Sequence, residues 1–264
     1  MGGLVMNIGE IDGYLQAGTV SGVELAAAKL EAIAELGVAI ISESARDLSV
    51  EGDVKFVTTD SGVIRAKTVV LASGARLRSL GVPGEEALFG RGVSQCAYCD
   101  GMFFANQSVV VIGGGDSALQ EALHLAETAN KITVVTRGEA LRAKPGYITR
   151  AMNNPKFEFR LSTIVSDIVG TESVEGVRLV ATGNGEPEAL QCCGVFVFVG
   201  LEPNAGYVPN NIERDEDGFI VTSSICQTSA PGVYAVGAVR AGDSGQLAEA
   251  VKEAEAVIAG LQLR

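Results

Sequence analysis

Apolar and polar positions along this chain switch repeatedly between a helical and a strand period, and the switches mark its elements. Ala26, Leu30 and Ile33 recur at helical spacing between Ser21, which forms a capping box with Glu24, and Gly37, which ends the segment. Residues 38–42 then read as a strand. Residues 54–58 and 63–66 flank the hairpin signal Asp60-Ser61-Gly62, and residues 68–72 make a short buried strand. This meander equally suits an antiparallel excursion in any α/β protein. Leu80-Gly81-Val82-Pro83-Gly84 reads as a linker. Farther on, residues 157–160, 164–168 and 176–181 predict an antiparallel excursion, Gly183-Asn184-Gly185 a turn, and residues 192–198 a run apolar on both faces. A second linker falls near Asn210-Asn211. Residues 218–221 and 233–237 are short strands, and residues 246–261 a closing helix.

The densest patterning lies in residues 90–143. Gly90-Arg91-Gly92-Val93-Ser94-Gln95-Cys96-Ala97-Tyr98-Cys99-Asp100-Gly101 precedes the apolar run Val109-Val110-Val111-Ile112, and Gly113-Gly114-Gly115-Asp116-Ser117-Ala118 follows at once. Ala118, Ala122 and Leu125 then give a helical spacing, and residues 132–135 a second apolar run ending in Thr136-Arg137. Gly113-x-Gly115-x-x-Ala118 between a β-branched strand and a helix has the context of a dinucleotide turn. The first glycine allows the tight turn, the second lets backbone approach a pyrophosphate, and the small third residue lets helix and strand pack closely. A dithiol pair beside such a unit points to electron transfer between a nicotinamide and a disulfide. Zinc needs four ligands, and Cys192, Cys193, Cys226 and the single histidine His124 do not complete a set at ligand spacing, so no metal site is expected.

Composition narrows the picture further. The 264 residues suffice for one large core or two ordinary ones, and 33 glycines with 47% hydrophobic residues and no tryptophan suit an α/β protein with many tight turns. A formal net charge of -12 argues against nucleic acid or an anionic membrane surface as partner. No apolar run reaches the length of a membrane span, and a cytoplasmic, reducing setting follows as the default. Adjacent Cys192 and Cys193 read as small core residues.

Leu71-Ala72-Ser73-Gly74-Ala75, the stretches over residues 90–101 and 111–122, Phe196-Val197-Phe198-Val199-Gly200-Leu201-Glu202-Pro203-Asn204, and Gly232-Val233-Tyr234-Ala235-Val236-Gly237 resemble, in order and spacing, the low-molecular-weight thioredoxin reductases. The resemblance implies two Rossmann-like three-layer α/β domains joined by a two-stranded linker. These are an FAD domain, here incomplete, from residues 1–80 and 211–264, and an inserted NADPH domain over residues 81–210. It implies a cytoplasmic homodimer that passes electrons from NADPH through FAD to a Cys96/Cys99 disulfide and on to thioredoxin or a thioredoxin-like protein. Cys99 becomes the thiol next to the flavin, Cys96 the one that attacks the partner, and Asp100 the acid that protonates a departing thiolate. A helix N-cap is the other reading of Asp100, and the two are compatible. Gly113, Gly114, Gly115, Asp116, Ser117, Ala118, Glu121 and Gly200 are implied on the nucleotide, and Ser73, Gly74, Gly237 and Gln246 on the flavin.

The chain departs from that pattern at three places. No glycine fingerprint for the FAD pyrophosphate precedes residues 1–18, the segment that would cross the flavin, and Ala238 stands where the family has an aspartate for the ribityl chain. Arg137 and Arg142 stand where a 2′-phosphate would sit, but Thr136-Arg137-Gly138 replaces His-Arg-Arg, so NADPH is expected with a reduced preference over NADH. Solvated surface arginines are the plain alternative. The first two departures keep open an NAD(P)H-binding redox sensor without flavin turnover. A flavoprotein reductase serving a peroxiredoxin or glutaredoxin-like partner, or fed by ferredoxin, is a third reading.

Overall fold

The computed structural model describes residues 2–9, 11, 20–183, 185–243 and 245–262. Residues 1, 10 and 12–18 of the segment expected to cross the flavin, and Asn184 of the expected turn, lie outside them. In chain order, helix α1 (Gly22–Glu35) is followed by β1 (Asp47–Glu51), β2 (Val54–Thr58), β3 (Val63–Ala66), β4 (Val69–Leu71) and β5 (Ala75–Leu77). Next come β6 (Val93–Ser94), α2 (Ala97–Asp100), β7 (Ser108–Ile112), α3 (Asp116–Thr128), β8 (Lys131–Val135), α4 (Pro145–Met152) and β9 (Phe157–Arg160). The chain continues through β10 (Thr163–Gly170), β11 (Val174–Ala181), β12 (Glu188–Gln191), β13 (Gly194–Val197), β14 (Leu201–Pro203), β15 (Val233–Ala235) and α5 (Leu247–Gln262).

Two compact units result, one of residues 1–76 with 201–264, the other Leu77–Gly200. The chain leaves the first unit through β5 and re-enters it through β14, and these strands pair into a two-stranded sheet. Re-entry thus falls at Leu201, ahead of the expected linker near Asn210.

The inserted unit is built on a five-stranded sheet of order β6-β13-β7-β8-β9, parallel throughout. Its central strands are β-branched on both faces, and each face is covered. Ala118, Leu119, Ala122 and Leu125 of α3 pack on Val109, Val111, Ile132 and Val134. On the other side Val110, Ile112 and Val135 meet Val165, Ile168, Val177 and Leu179 of the antiparallel sheet β10-β11-β12. Fully burying each such side chain contributes about 1.5–3 kcal/mol, so this three-layer core holds β7 and α3 rigidly about the turn between them. One expectation is corrected here: residues 157–160 are not antiparallel. They form β9, parallel to β8, because α4 carries the chain back across the sheet first.

In the first unit β2 and β3 are the hairpin read from sequence; β1, which the sequence pattern did not indicate, adds antiparallel to β2, and β4, the strand expected after the hairpin, pairs instead in parallel with β15, Leu71 opposite Ala235. Leu48, Leu71, Ile212, Ile220, Val233 and Val239 form its core. The strand expected over residues 38–42 does not form. A strand exists only through a ladder partner, none of the described strands lies beside this segment, and Val38, Ile40 and Ile41 are exposed.

Candidate active site

The dithiol pair sits where β6 gives way to α2. Cys96 is the N-cap of α2 and its Sγ accepts the Cys99 N–H at 3.1 Å. Cys96 and Cys99 are joined by a disulfide with Cα atoms 5.3 Å apart. Cys96 is buried, 8% exposed, whereas Cys99 is exposed. Asp100 accepts the Ser94 hydroxyl at 2.6 Å, and Ser94 Oγ in turn accepts the Cys96 N–H at 3.0 Å. Asp100 occupies the N-cap position of the 3-10 turn Gly101–Phe104, yet its side chain makes no capping bond there. The carboxylate faces the redox loop instead.

Helix α3 supports that loop from beneath. Glu121 Oε2 accepts the Ala97 N–H at 2.7 Å, and burial, the largest influence, raises the Glu121 carboxyl above its ordinary value against the opposing effects of the Ala97 N–H and His124. The His124 ring stacks on Tyr98 with centroids 3.9 Å apart and planes 12° from parallel.

At its other end α3 begins at the glycine turn. Gly113 has φ +141°, and a Cβ there would lie 2.3 Å from the Phe198 carbonyl oxygen and 2.9 Å from Ala118 Cβ, which is why both positions are small. A Cβ on Gly115 would meet nothing within 4 Å, so backbone is open to a ligand at the N-cap of α3, where no side chain takes the orphan N–H groups. Asp116 accepts the Lys144 N–H at 2.7 Å and pairs with its ammonium, and Ser117 is exposed. Arg137, two residues beyond β8, and Arg142 are both exposed, and the Arg142 N–H donates to Gly114 O at 2.7 Å. Gly200, with φ +105°, follows β13 at the edge of the unit.

Over residues 15–254 the chain matches the family described as pyridine nucleotide-disulphide oxidoreductase. It belongs to that family. Among curated relatives, a thioredoxin reductase of Listeria monocytogenes is 37% identical over 241 residues, covering 91% of this chain and 76% of the relative. One of Mycolicibacterium smegmatis is 39% identical over 239 residues, covering 89% and 76%. The crystal structure of Lactococcus lactis thioredoxin reductase superposes with a TM-score of 0.89 at 35% identity, covering 98% of this chain and 88% of that one. The thioredoxin reductases of the family are FAD-dependent, NADPH-using flavoproteins, and the mixed α/β fold with Rossmann-like parallel cores is theirs.

The family's cofactors set a test for the residues present. The open Gly115 turn fits a dinucleotide pyrophosphate. In the first unit, Ser73 donates its hydroxyl to Asn204 O at 2.8 Å, and the Asn204 amide returns a bond to Ser73 O at 3.0 Å. Gly74, with φ +66°, faces open space, and Gln246 is exposed just before α5, so both leave room for a flavin nucleotide. Gly237 has φ +69°, but its N–H donates to Glu253 at 2.7 Å, and Glu253 also pairs with Arg240.

Sequence reasoning passed over Ser94, Tyr98 and the structural use of His124. Ser94 and Tyr98 lie inside the quoted redox stretch, but nothing in their spacing gives a role. From sequence alone His124 stands out only as a possible zinc ligand. Cys193 departs from the core reading: it is exposed in the step between β12 and β13, while Cys192 is buried.

Proposed function

We propose that this chain reduces the disulfide of a thioredoxin-like protein with electrons from NADPH, using Cys96 and Cys99 as the exchanging pair. The observation that carries this reading is that a disulfide-bonded Cys-x-x-Cys rests on the same helix, α3, whose first turn is the open glycine cradle. FAD, when bound, supplies the two-electron acceptor that couples the nicotinamide to the disulfide, and Ser73, Gly74, Gly237 and Gln246 would hold it. Gly113 to Ala118 hold the pyrophosphate of NADPH, with Arg137 and Arg142 on its 2′-phosphate.

Reduction consumes the hydride of NADPH and a solvent proton, breaks the Cys96–Cys99 bond, and leaves NADP⁺ and two thiols. The Cys99 N–H favours a thiolate at Cys96. The Cys96 thiol passes its proton to the Asp100 carboxylate and the thiolate attacks one partner sulfur; the partner's S–S bond breaks, a mixed disulfide forms, and the expelled thiolate takes that proton back from Asp100. Cys99 then attacks Cys96 in the mixed disulfide, restoring the bridge and releasing the second partner thiolate. Because Cys96 is 8% exposed, its attack requires the loop to turn that sulfur outward.

The same reading makes the protein a cytoplasmic homodimer without a membrane or nucleic-acid partner. The net charge of -12 speaks against nucleic acid and anionic membranes as partners, and no helix among the described residues is long and apolar enough to cross a membrane. The test is NADPH oxidation dependent on oxidised thioredoxin. Cys96→Ser and Cys99→Ser should each reduce it to background, and Cys99→Ser should trap the partner on Cys96; trapping on Cys99 in Cys96→Ser alone would reverse their roles. Commitment of the Gly237 N–H to Glu253, together with Ala238, favours a second reading, an NAD(P)H-binding redox sensor. A protein that stays colourless after reconstitution with FAD would select it.

A further inference from the structure

One stripe of α3 meets three positions of the redox loop. Glu121 takes the Ala97 N–H, His124 stacks on Tyr98, and Leu125 lies under Gly101, where an added Cβ would come within 3.1 Å of Leu125 Cδ2. Residues i, i+3 and i+4 share one helix face, so these contacts act together on the segment that contains both cysteines. Ala97 and Tyr98 are the two residues between Cys96 and Cys99, and each is held by a different side chain of α3. We propose that Glu121 and His124 are positioning residues that clamp the Ala97-Tyr98 step and thereby hold Cys96 in its buried position.

The clamp accounts for an asymmetry that the short loop alone does not explain. Fixing the Ala97 N–H to a helix below draws the preceding Cys96 inward. Stacking Tyr98 on His124 anchors the next residue, so the step after Cys96 is fixed at two points. For Cys96 to reach a partner disulfide, at least one of these contacts must open, so the clamp sets a threshold for exchange. The inference rests on Cys96 and Cys99 being the redox pair, but not on what partner they serve.

The test reads the orientation of the pair without turnover. The reduced full chain is treated briefly with iodoacetamide, and the labelling ratio of Cys96 to Cys99 is read by peptide mass spectrometry. His124→Ala and Glu121→Ala should each raise that ratio severalfold, whereas His124→Phe, which keeps a ring to stack on Tyr98, should stay within twofold of the native chain. Tyr98→Leu, which leaves α3 untouched, should reproduce His124→Ala and covers the case in which a helix substitution fails to fold. An unchanged ratio in Tyr98→Leu and Glu121→Ala overturns the clamp, as does a His124→Phe chain that behaves like His124→Ala. Either result leaves the NADPH-dependent assay of the pair standing as a separate question.

Discussion

Burial pushes the Cys192 thiol up to about 12 and also raises that of Cys226, so neither forms a useful thiolate near neutral pH. Alkylation of the native, oxidised chain should therefore label Cys193 and spare Cys192 and Cys226, while Cys96 and Cys99 should react only after reduction. Labelling of Cys192 before Cys193 would refute this ordering. At Arg137 a bidentate contact to a dianionic 2′-phosphate is worth about 1.5–3 kcal/mol. Arg137→Ala should thus cut the kcat/KM preference for NADPH over NADH by about tenfold or more, at 1.4 kcal/mol per factor of ten. No change would make it a solvated surface arginine. For Glu121 the folded carboxyl holds its proton to higher pH than the unfolded one. Stability should fall as pH rises from the ordinary carboxylate value, near pH 4.3, up to the raised one, and be level above it. Urea midpoints of Glu121→Gln should lack that slope; an unaltered slope would assign it to other groups.

The βαβ element around the glycine turn was legible because its signals are local: β-branched residues, then glycines, then an apolar stripe at helical spacing. The two glycines separate fold from function. Gly113→Ala places a methyl against the Phe198 carbonyl at a left-handed φ, and should destabilise the chain by about 1–3 kcal/mol. Gly115→Val enters open space at an ordinary φ, so its melting temperature should hold while NADPH affinity falls at least tenfold. A large loss of stability in Gly115→Val would show that the turn serves packing alone. Where signals are not local, the reading failed. Residues 157–160 look the same whether their partner runs parallel or antiparallel, and the turn of α4 before them decides it. Residues 38–42 carry a strand's composition without a described neighbour to pair with. Exposure of Cys193 beside buried Cys192 depends on the step between two sheets, which the sequence pattern does not display.

Across the whole chain, the insertion of one α/β unit within another was expected from the family resemblance, and the residues themselves added only the linker signal at 80–84, a few positions past the change of unit at Leu77. The return point was less legible: β14 re-enters at Leu201 by pairing with β5, a contact between residues more than a hundred positions apart. Pairing of Cys96 with Cys99 was expected, whereas their unequal exposure and the support from α3 are products of packing. The central claim is that electrons from NADPH reach this one disulfide and leave it for a protein partner. Its most direct test is a single-turnover experiment on the FAD-loaded protein under anaerobic conditions, quenched with an alkylating agent and mapped by mass spectrometry. One equivalent of NADPH should convert Cys96–Cys99 to two labelled thiols with Cys192 and Cys226 unlabelled, and oxidised thioredoxin added next should restore the bridge with stoichiometric gain of thioredoxin thiols. A Cys96–Cys99 bond that stays intact after NADPH, in a protein that carries its flavin, would contradict the account.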